Sequence, residues 1–215
     1  FKIKTKSGRN VSITSGHSLF KLENGEIISE KGDNLKLGDH IAIPKRFSWY
    51  SQINEINIED YLSLKGNHYT RSNKSLYYNK TLLTPLNLKL TNNLARLLGY
   101  YLAEGSAPRH ISLVINKNEG DILEEIKSCI GECFPSLKVH VSERGNACEI
   151  TFGARILGRL FKEWFGNGAR MKKIPRFVFS SNEEFKLNFL GAYLNGDGCI
   201  DKGKNHFRIR MKTAS

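Results

Sequence analysis

Leu97-Leu98-Gly99-Tyr100-Tyr101-Leu102-Ala103-Glu104-Gly105 and Leu190-Gly191-Ala192-Tyr193-Leu194-Asn195-Gly196-Asp197-Gly198 are two copies of one design. Each is an apolar helical run that ends in a carboxylate followed by glycine. Each has a small residue at its third position, Gly99 or Ala192. A small residue there lets two helix axes come closer than the usual spacing of about 8–10 Å. The carboxylates are oddly placed, because a helix C-terminus carries partial negative charge and favours Lys or Arg. Two acids in that position require a compensating cation, and a divalent metal is one. A single copy reads as an ordinary helix stop with glycine just past the end. Two copies sharing the apolar run, the small residue and the ending point instead to an internal repeat.

Both stretches resemble the LAGLIDADG motif of homing endonucleases, in the dodecapeptide (DOD) form found inside inteins. The resemblance implies two motif helices packed side by side, with Glu104 and Asp197 meeting above double-stranded DNA as ligands of Mg²⁺. Glu in place of Asp in the first copy adds one methylene and keeps the ligand type. Lys172-Lys173-Ile174-Pro175 resembles the K-x-I-P block that precedes the second motif, and this implies Lys172 as the active-site lysine. A lysine beside a phosphate undergoing displacement can stabilise charge in the transition state. On residue type alone, Lys172 reads as a surface lysine in a Lys-Lys pair; its placement 25 residues before Asp197 favours the functional reading.

The totals agree with a polyanionic partner. With 33 Lys and Arg against 21 Asp and Glu, the formal net charge is +12. Nucleic acid is the default partner for so large an excess, although a solvated basic surface would look the same. The 215 residues can hold one large or two small domains. No stretch reaches the roughly 18 consecutive apolar residues of a membrane span, and no signal peptide opens the chain; the expected location is the cytoplasm. Cys129 and Cys133 are four apart on a predicted helix, with no second pair at zinc spacing. Reduced thiols are the expected state.

Downstream of residue 90 the pattern is helix, strand, helix, two strands, helix, then the second motif helix. Leu94 to Ala103 forms the first helix, with Thr91 or Asn92 as cap. Ile111 to Ile115 alternates, as do Leu137 to Ser142 and Cys148 to Phe152. Asp121 to Phe134, Ile156 to Phe165 and Glu183 to Asn195 have helical spacing. The order matches the αββαββα half of the LAGLIDADG fold, except that Ala107-Pro108-Arg109 leaves little room for the first strand of the first hairpin. Lys138, His140 and Ser142 share a polar strand face. After the second motif comes Lys204, and then Arg208, Arg210 and Lys212 on one face of a strand whose other face carries Phe207, Ile209 and Met211. Cations so arranged suit phosphates and guanine edges, or protect an exposed edge. The second repeat stops after its first hairpin, so the expectation is a fragment with impaired activity.

Residues 1–47 read as short strands around the hairpin signal Asn24-Gly25. The run Val11 to Phe20, with Thr14-Ser15-Gly16-His17 inside it, followed by Leu37-Gly38-Asp39 and Ile43-Pro44, resembles the T-x-x-H block and following strands of the Hint fold of inteins. That implies Thr14 and His17 as splicing residues, which polarise the upstream scissile amide and protonate its nitrogen. The chain as written starts with Phe1, not a nucleophile, and ends in Thr213-Ala214-Ser215, not His-Asn; it is not expected to splice.

The expected fold class is therefore α+β: a β-rich Hint-like part over 1–47, a linker or DNA-contacting insert over 48–90, and an endonuclease domain over 91–215. Weak periodicity over 48–90 favours a mobile linker, although Lys65, His68, Arg71 and Lys74 stand among Tyr69, Tyr77 and Tyr78. The expected partners are double-stranded DNA and the flanking host segments (exteins), with the full two-repeat protein a monomer and no membrane. Three alternatives stay open. One is a non-cutting DNA-binding module on the same scaffold, which both acids argue against. Another is an RNA maturase, which the Hint-like start argues against. The third is an intein that splices with a decayed nuclease.

Overall fold

The structure is a computed structural model that describes residues 1–43, 52–62, 69–202 and 207–211. The chain divides into two compact units, Phe1–Trp49 and Tyr50–Ser215.

In the first unit, β1 (Lys2–Lys4) pairs antiparallel with β2 (Asn10–Ser12). β3 (Ser18–Glu23), β4 (Glu26–Lys31) and β5 (His40–Ile41) form a sheet in the order β4-β3-β5. Asn24 and Gly25 link β3 to β4 with φ of 52° and 85°. Both lie in the left-handed region that a two-residue hairpin turn demands. β5 is short, and just past it the Ala42 amide donates to the Phe20 carbonyl. Lys21 is buried between Glu23 and Glu30, with N···O distances of 3.2 and 3.3 Å. Phe20, Leu22 and Ile27 remain exposed.

The second unit opens with a correction. The segment read as a mobile linker over 48–90 is folded wherever it is described. β6 (Glu55–Asn57) pairs with β10 (Asn87–Lys89), and between them β7 (Tyr69–Ser72), β8 (Ser75–Tyr78) and β9 (Thr81–Pro85) form an antiparallel meander. Ile56, Ile58, Leu62, Leu76, Leu83, Leu88 and Leu90 are buried in the unit's core. They are spread over strands of three to five residues, a 3-10 turn at Ile58–Asp60 and the connecting chain, too short to show a period.

Then follow α1 (Asn92–Glu104), β11 (Gly105–Ser106), β12 (Ile111–Asn116), α2 (Gly120–Cys133), β13 (Val139–Arg144), β14 (Ala147–Phe152) and α3 (Arg155–Phe165). A short α4 (Arg176–Ser180), which the periodicity did not reveal, precedes α5 (Glu183–Asp197), β15 (Gly198–Lys202) and β16 (Phe207–Met211). Thr91 caps α1 by accepting from the Leu94 amide at 3.2 Å, and Asn182 caps α5 by accepting from Phe185 at 2.7 Å. The strands pair antiparallel in the order β11-β12-β14-β13. Alternation sends Ile111, Leu113 and Ile115, with Cys148, Ile150 and Phe152, into the core against α1, α2 and α3. β11 has only two residues, in keeping with the short first strand read from Pro108. β13 begins two residues later than expected, so Lys138 stands just before it. Ile209, on the apolar face of β16, is 63 % exposed in the two-stranded sheet with β15. The described residues make a mixed α/β chain of small sheets and five α-helices.

Candidate functional site

The site is made by α1 and α5 lying against each other. A Cβ placed on Gly99 would fall 2.3 Å from the Phe189 carbonyl oxygen and 2.9 Å from the Ala192 Cβ. The two small third-position residues therefore face each other across the helix pair, and the backbones touch there. Contact continues to the last turn, where a Cβ on Gly196 would lie 2.5 Å from the Ala103 Cβ and 3.6 Å from the Glu104 Cγ. The residue before one acid thus abuts the other acid.

The glycines after the acids are not left-handed helix stops. Gly105 and Gly198 have φ of −87° and −84° with extended ψ, and each helix runs straight into a strand. Glycine is needed because a Cβ at either position would sit 2.4 Å from the Tyr101 oxygen or 2.2 Å from the Leu194 oxygen. The chain turns so sharply out of the helix that no side chain fits.

Lys172 reaches this point from far along the chain. Gly166 and Gly168, at φ of 86° and 84°, bend the segment after α3 back on itself, and the Lys173 amide donates to the Phe165 carbonyl at 2.8 Å. Phe165 packs against Tyr101 with the rings tilted and their centres 4.9 Å apart. The Lys172 Nζ then donates to the carbonyls of Leu102 at 2.7 Å and Ala103 at 3.0 Å, with Tyr101 at 3.4 Å. The Tyr101 carbonyl also accepts from the Gly105 amide, while those of Leu102 and Ala103 belong to the last turn, where helix carbonyls lack a partner along the helix. The sequence assigned the compensating positive charge to a metal. In the structure Lys172 supplies part of it and caps α1, a role that nothing in the sequence pattern showed.

The charges are coupled. Burial, and then the Asp197 carboxylate, push the Glu104 carboxyl above its ordinary range, while Lys172 opposes them. Partial burial also raises Asp197, again against Lys172. Burial lowers the Lys172 ammonium, and the two carboxylates resist that. Two acids and one ammonium leave one negative charge uncompensated at the ends of two helices. Among the described residues no group of three or more His, Cys, Asp or Glu comes together as a metal cage. A cleft of about 400 Å³ opens beside the site, lined by Gly105, Ser106, Lys162, Ala169 and Lys172. Lys162 was not singled out in the sequence, where it is one more cation on a helix.

The other expected site residues divide by position. Lys138 and His140 line a second cleft with His110 and Thr151 on the open face of the β12-β14-β13 sheet. Thr81, from the segment read as a linker, lines it too. Arg210 is exposed and stands opposite Cys199 in the β15–β16 ladder. Arg208 belongs to β16, but its side chain lies outside the described residues, as do Lys204 and Lys212 altogether. Thr14 and His17 are both exposed on one turn, where the His17 amide donates to the Thr14 carbonyl at 3.2 Å. Phe1 and Ile13 exchange two backbone hydrogen bonds, which set Phe1 beside Thr14.

Known proteins match this chain as a segment. It is 32 % identical over 213 residues to the DNA-directed RNA polymerase subunit Rpo1C of Methanocaldococcus jannaschii, spanning 97 % of this chain and 24 % of that protein. It is 25 % identical over 330 residues to a DNA polymerase of Thermococcus kodakarensis, spanning all of this chain and 19 % of the polymerase. The chain thus spans a quarter or less of these relatives. No family model matches it. The homing endonuclease I-DmoI, solved in complex with DNA and Mn, overlaps 52 % of this chain and 64 % of its own at 14 % identity and a TM-score of 0.38. That score does not by itself establish a common fold. Polymerases of different activity thus match this chain over nearly all of its length, both acid-ended helices included.

Proposed function

We propose that residues 91–215 are the LAGLIDADG endonuclease of an intein, hydrolysing phosphodiester bonds of double-stranded DNA at a specific site. The observation that carries this reading is the convergence of Glu104, Asp197 and Lys172 at the ends of a helix pair in backbone contact. A site-specific nuclease encoded within a host protein also accounts for one segment recurring in an RNA polymerase and a DNA polymerase.

Two carboxylates with one uncompensated negative charge fit a Mg²⁺ ion, which keeps water and phosphate oxygens as its other ligands. When bound, such an ion activates water and neutralises the leaving oxygen. Glu104 and Asp197 would hold it. Lys172 fixes the last turn of α1, and so the position of Glu104, while its charge lies near the phosphate. Lys138 and His140 contact the duplex from the sheet face, and Lys204, Arg208, Arg210 and Lys212, which follow the second motif in the sequence, are further phosphate contacts. Thr14 and His17, beside Phe1, belong to the splicing part over 1–47.

The test is cleavage of a long duplex library in Mg²⁺ by wild type and by Asp197→Asn. Wild type should cut at a defined sequence, and the variant should lose at least 100-fold in rate, the scale of removing one directed electrostatic group. Equal cutting by both would remove Asp197 as a ligand. Sequence-specific binding without cutting in any divalent metal would favour a non-cutting module on this scaffold.

A further inference from the structure

The meander β7-β8-β9 carries two hairpin turns of unusual composition. Asn73-Lys74 joins β7 to β8 and Asn79-Lys80 joins β8 to β9. All four residues have positive φ: 47°, 58°, 46° and 67°. Two consecutive left-handed residues are what a two-residue hairpin needs, and Asn-Gly fits it without strain. This chain uses Asn-Gly for the same turn at Asn24-Gly25. Lysine in that position is strained, since its Cβ crowds the backbone. Neither lysine ammonium has an ion-pair or hydrogen-bond partner among the described residues, and both residues are exposed. Within the fold, therefore, nothing repays the strain.

The two turns lie at opposite ends of the meander. The Asn79-Lys80 end leads directly into Thr81, which lines the 380 Å³ cleft together with His110, Lys138 and His140. The same sheet lies by the start of α3, where the charges of Arg155 and Arg159 act on Tyr69. Lys80, next to Thr81 in the chain, thus adjoins a groove whose walls include Lys138 and two histidines. Lys74 lies at the far end, where its carbonyl accepts from the Leu86 amide.

We propose that the Asn79-Lys80 turn is a phosphate contact, and that the meander and the β12-β14-β13 face form one groove for the backbone of duplex DNA. The proposal rests on the DNA reading above and deepens it, because it assigns a DNA-binding role to a turn that carries no part of the metal site. The same backbone strain stands at Asn73-Lys74, so what singles out Asn79-Lys80 is its place in the chain next to Thr81 of the cleft. A single lysine on a phosphate adds affinity without sequence preference and releases about one counterion.

The test uses the full chain and a 40-base-pair duplex of arbitrary sequence, with binding followed by fluorescence anisotropy across a salt series and unfolding followed by thermal melts. Lys80→Gly should raise the melting temperature, because Asn-Gly relieves the turn, yet weaken binding about three- to tenfold. It should also reduce the slope of log K against log salt by about one. Lys80→Gln keeps the strained backbone and removes the charge, so it should weaken binding with the melting temperature unchanged. Lys74→Gly should raise the melting temperature and leave binding as it was. Unchanged affinity and slope in Lys80→Gly, or an equal loss in Lys74→Gly, would overturn the proposal. A wild-type chain that binds no duplex would remove the DNA reading itself, and this proposal with it.

Discussion

Glu104 occupies a place that electrostatics disfavours three times over: a helix C-terminus, a partly buried pocket and the neighbourhood of a second carboxylate. Each effect holds its proton to higher pH than an unfolded carboxyl near 4.5. Between those two values the folded chain binds more protons than the unfolded one, so stability falls as pH rises through the window. Glutamine does not titrate. In a chelator, Glu104→Gln should melt with wild type near pH 4 and above it at pH 7, by about 0.3–1 kcal/mol, the scale of a charge at a helix end. Melting temperatures of both proteins from pH 4 to 8 check this, and a gap independent of pH would contradict it. The two acids were legible in the sequence because both end the same apolar run. The attachment of Lys172 to the carbonyls of Leu102 and Ala103 was not, because a lysine in a Lys-Lys pair looks solvated until the fold brings it under α1.

At the scale of elements, the α1–α5 contact depends on the absence of side-chain atoms at chosen positions. Gly99 faces Phe189 and Ala192 directly, whereas Gly191 points into open space on the outer surface of α5. Gly99→Ala should therefore destabilise the protein by about 1–3 kcal/mol, because the backbones must separate. Gly191→Ala should be neutral or stabilise it by about 0.5–1 kcal/mol, because alanine has the better helix propensity. Urea unfolding of the two variants separates these effects. Equal responses would mean that the helices do not meet at Gly99. The small third residues were read correctly as marks of close approach. The glycines after the acids were harder to interpret, because a stop and a sharp exit into a strand require the same residue type for different reasons.

At the scale of the molecule, the two units differ in how they are held. The described part of the first unit buries little beyond Lys21 and Gly32, and leaves Phe20, Leu22, Ile27 and Leu37 exposed. The second unit has a continuous core that includes Trp164, Tyr100, Phe134, Phe152, Phe161 and Phe185. Local stability follows buried apolar contact. Native-state hydrogen exchange on the full chain should therefore show the strongest protection in α1, α5, β12 and β14, with β1 to β5 exchanging at least tenfold faster. Equal protection in the two units would show that the first is stabilised by burial of the Phe20–Leu22–Ile27 face. Among the described residues no helix is long and apolar enough to cross a membrane.

The sequence by itself determined what depends on neighbours in the chain. The two acid-ended helices, a cap at Thr91 or Asn92, the Asn24-Gly25 hairpin and the alternation of β12 and β14 are all local patterns, because helix and strand periods and turn dihedrals act over a few residues. The excess of 33 cations over 21 acids, a property of composition, pointed to a polyanion without a fold. Only the tertiary structure decided the rest. It folded the meander onto the core, although its apolar residues are scattered over strands too short to show a period. It placed Lys172 on helix carbonyls some 70 positions away and set Thr81 and His140 on one cleft. Such contacts join residues distant in the chain, and no local pattern encodes which of many similar side chains will meet.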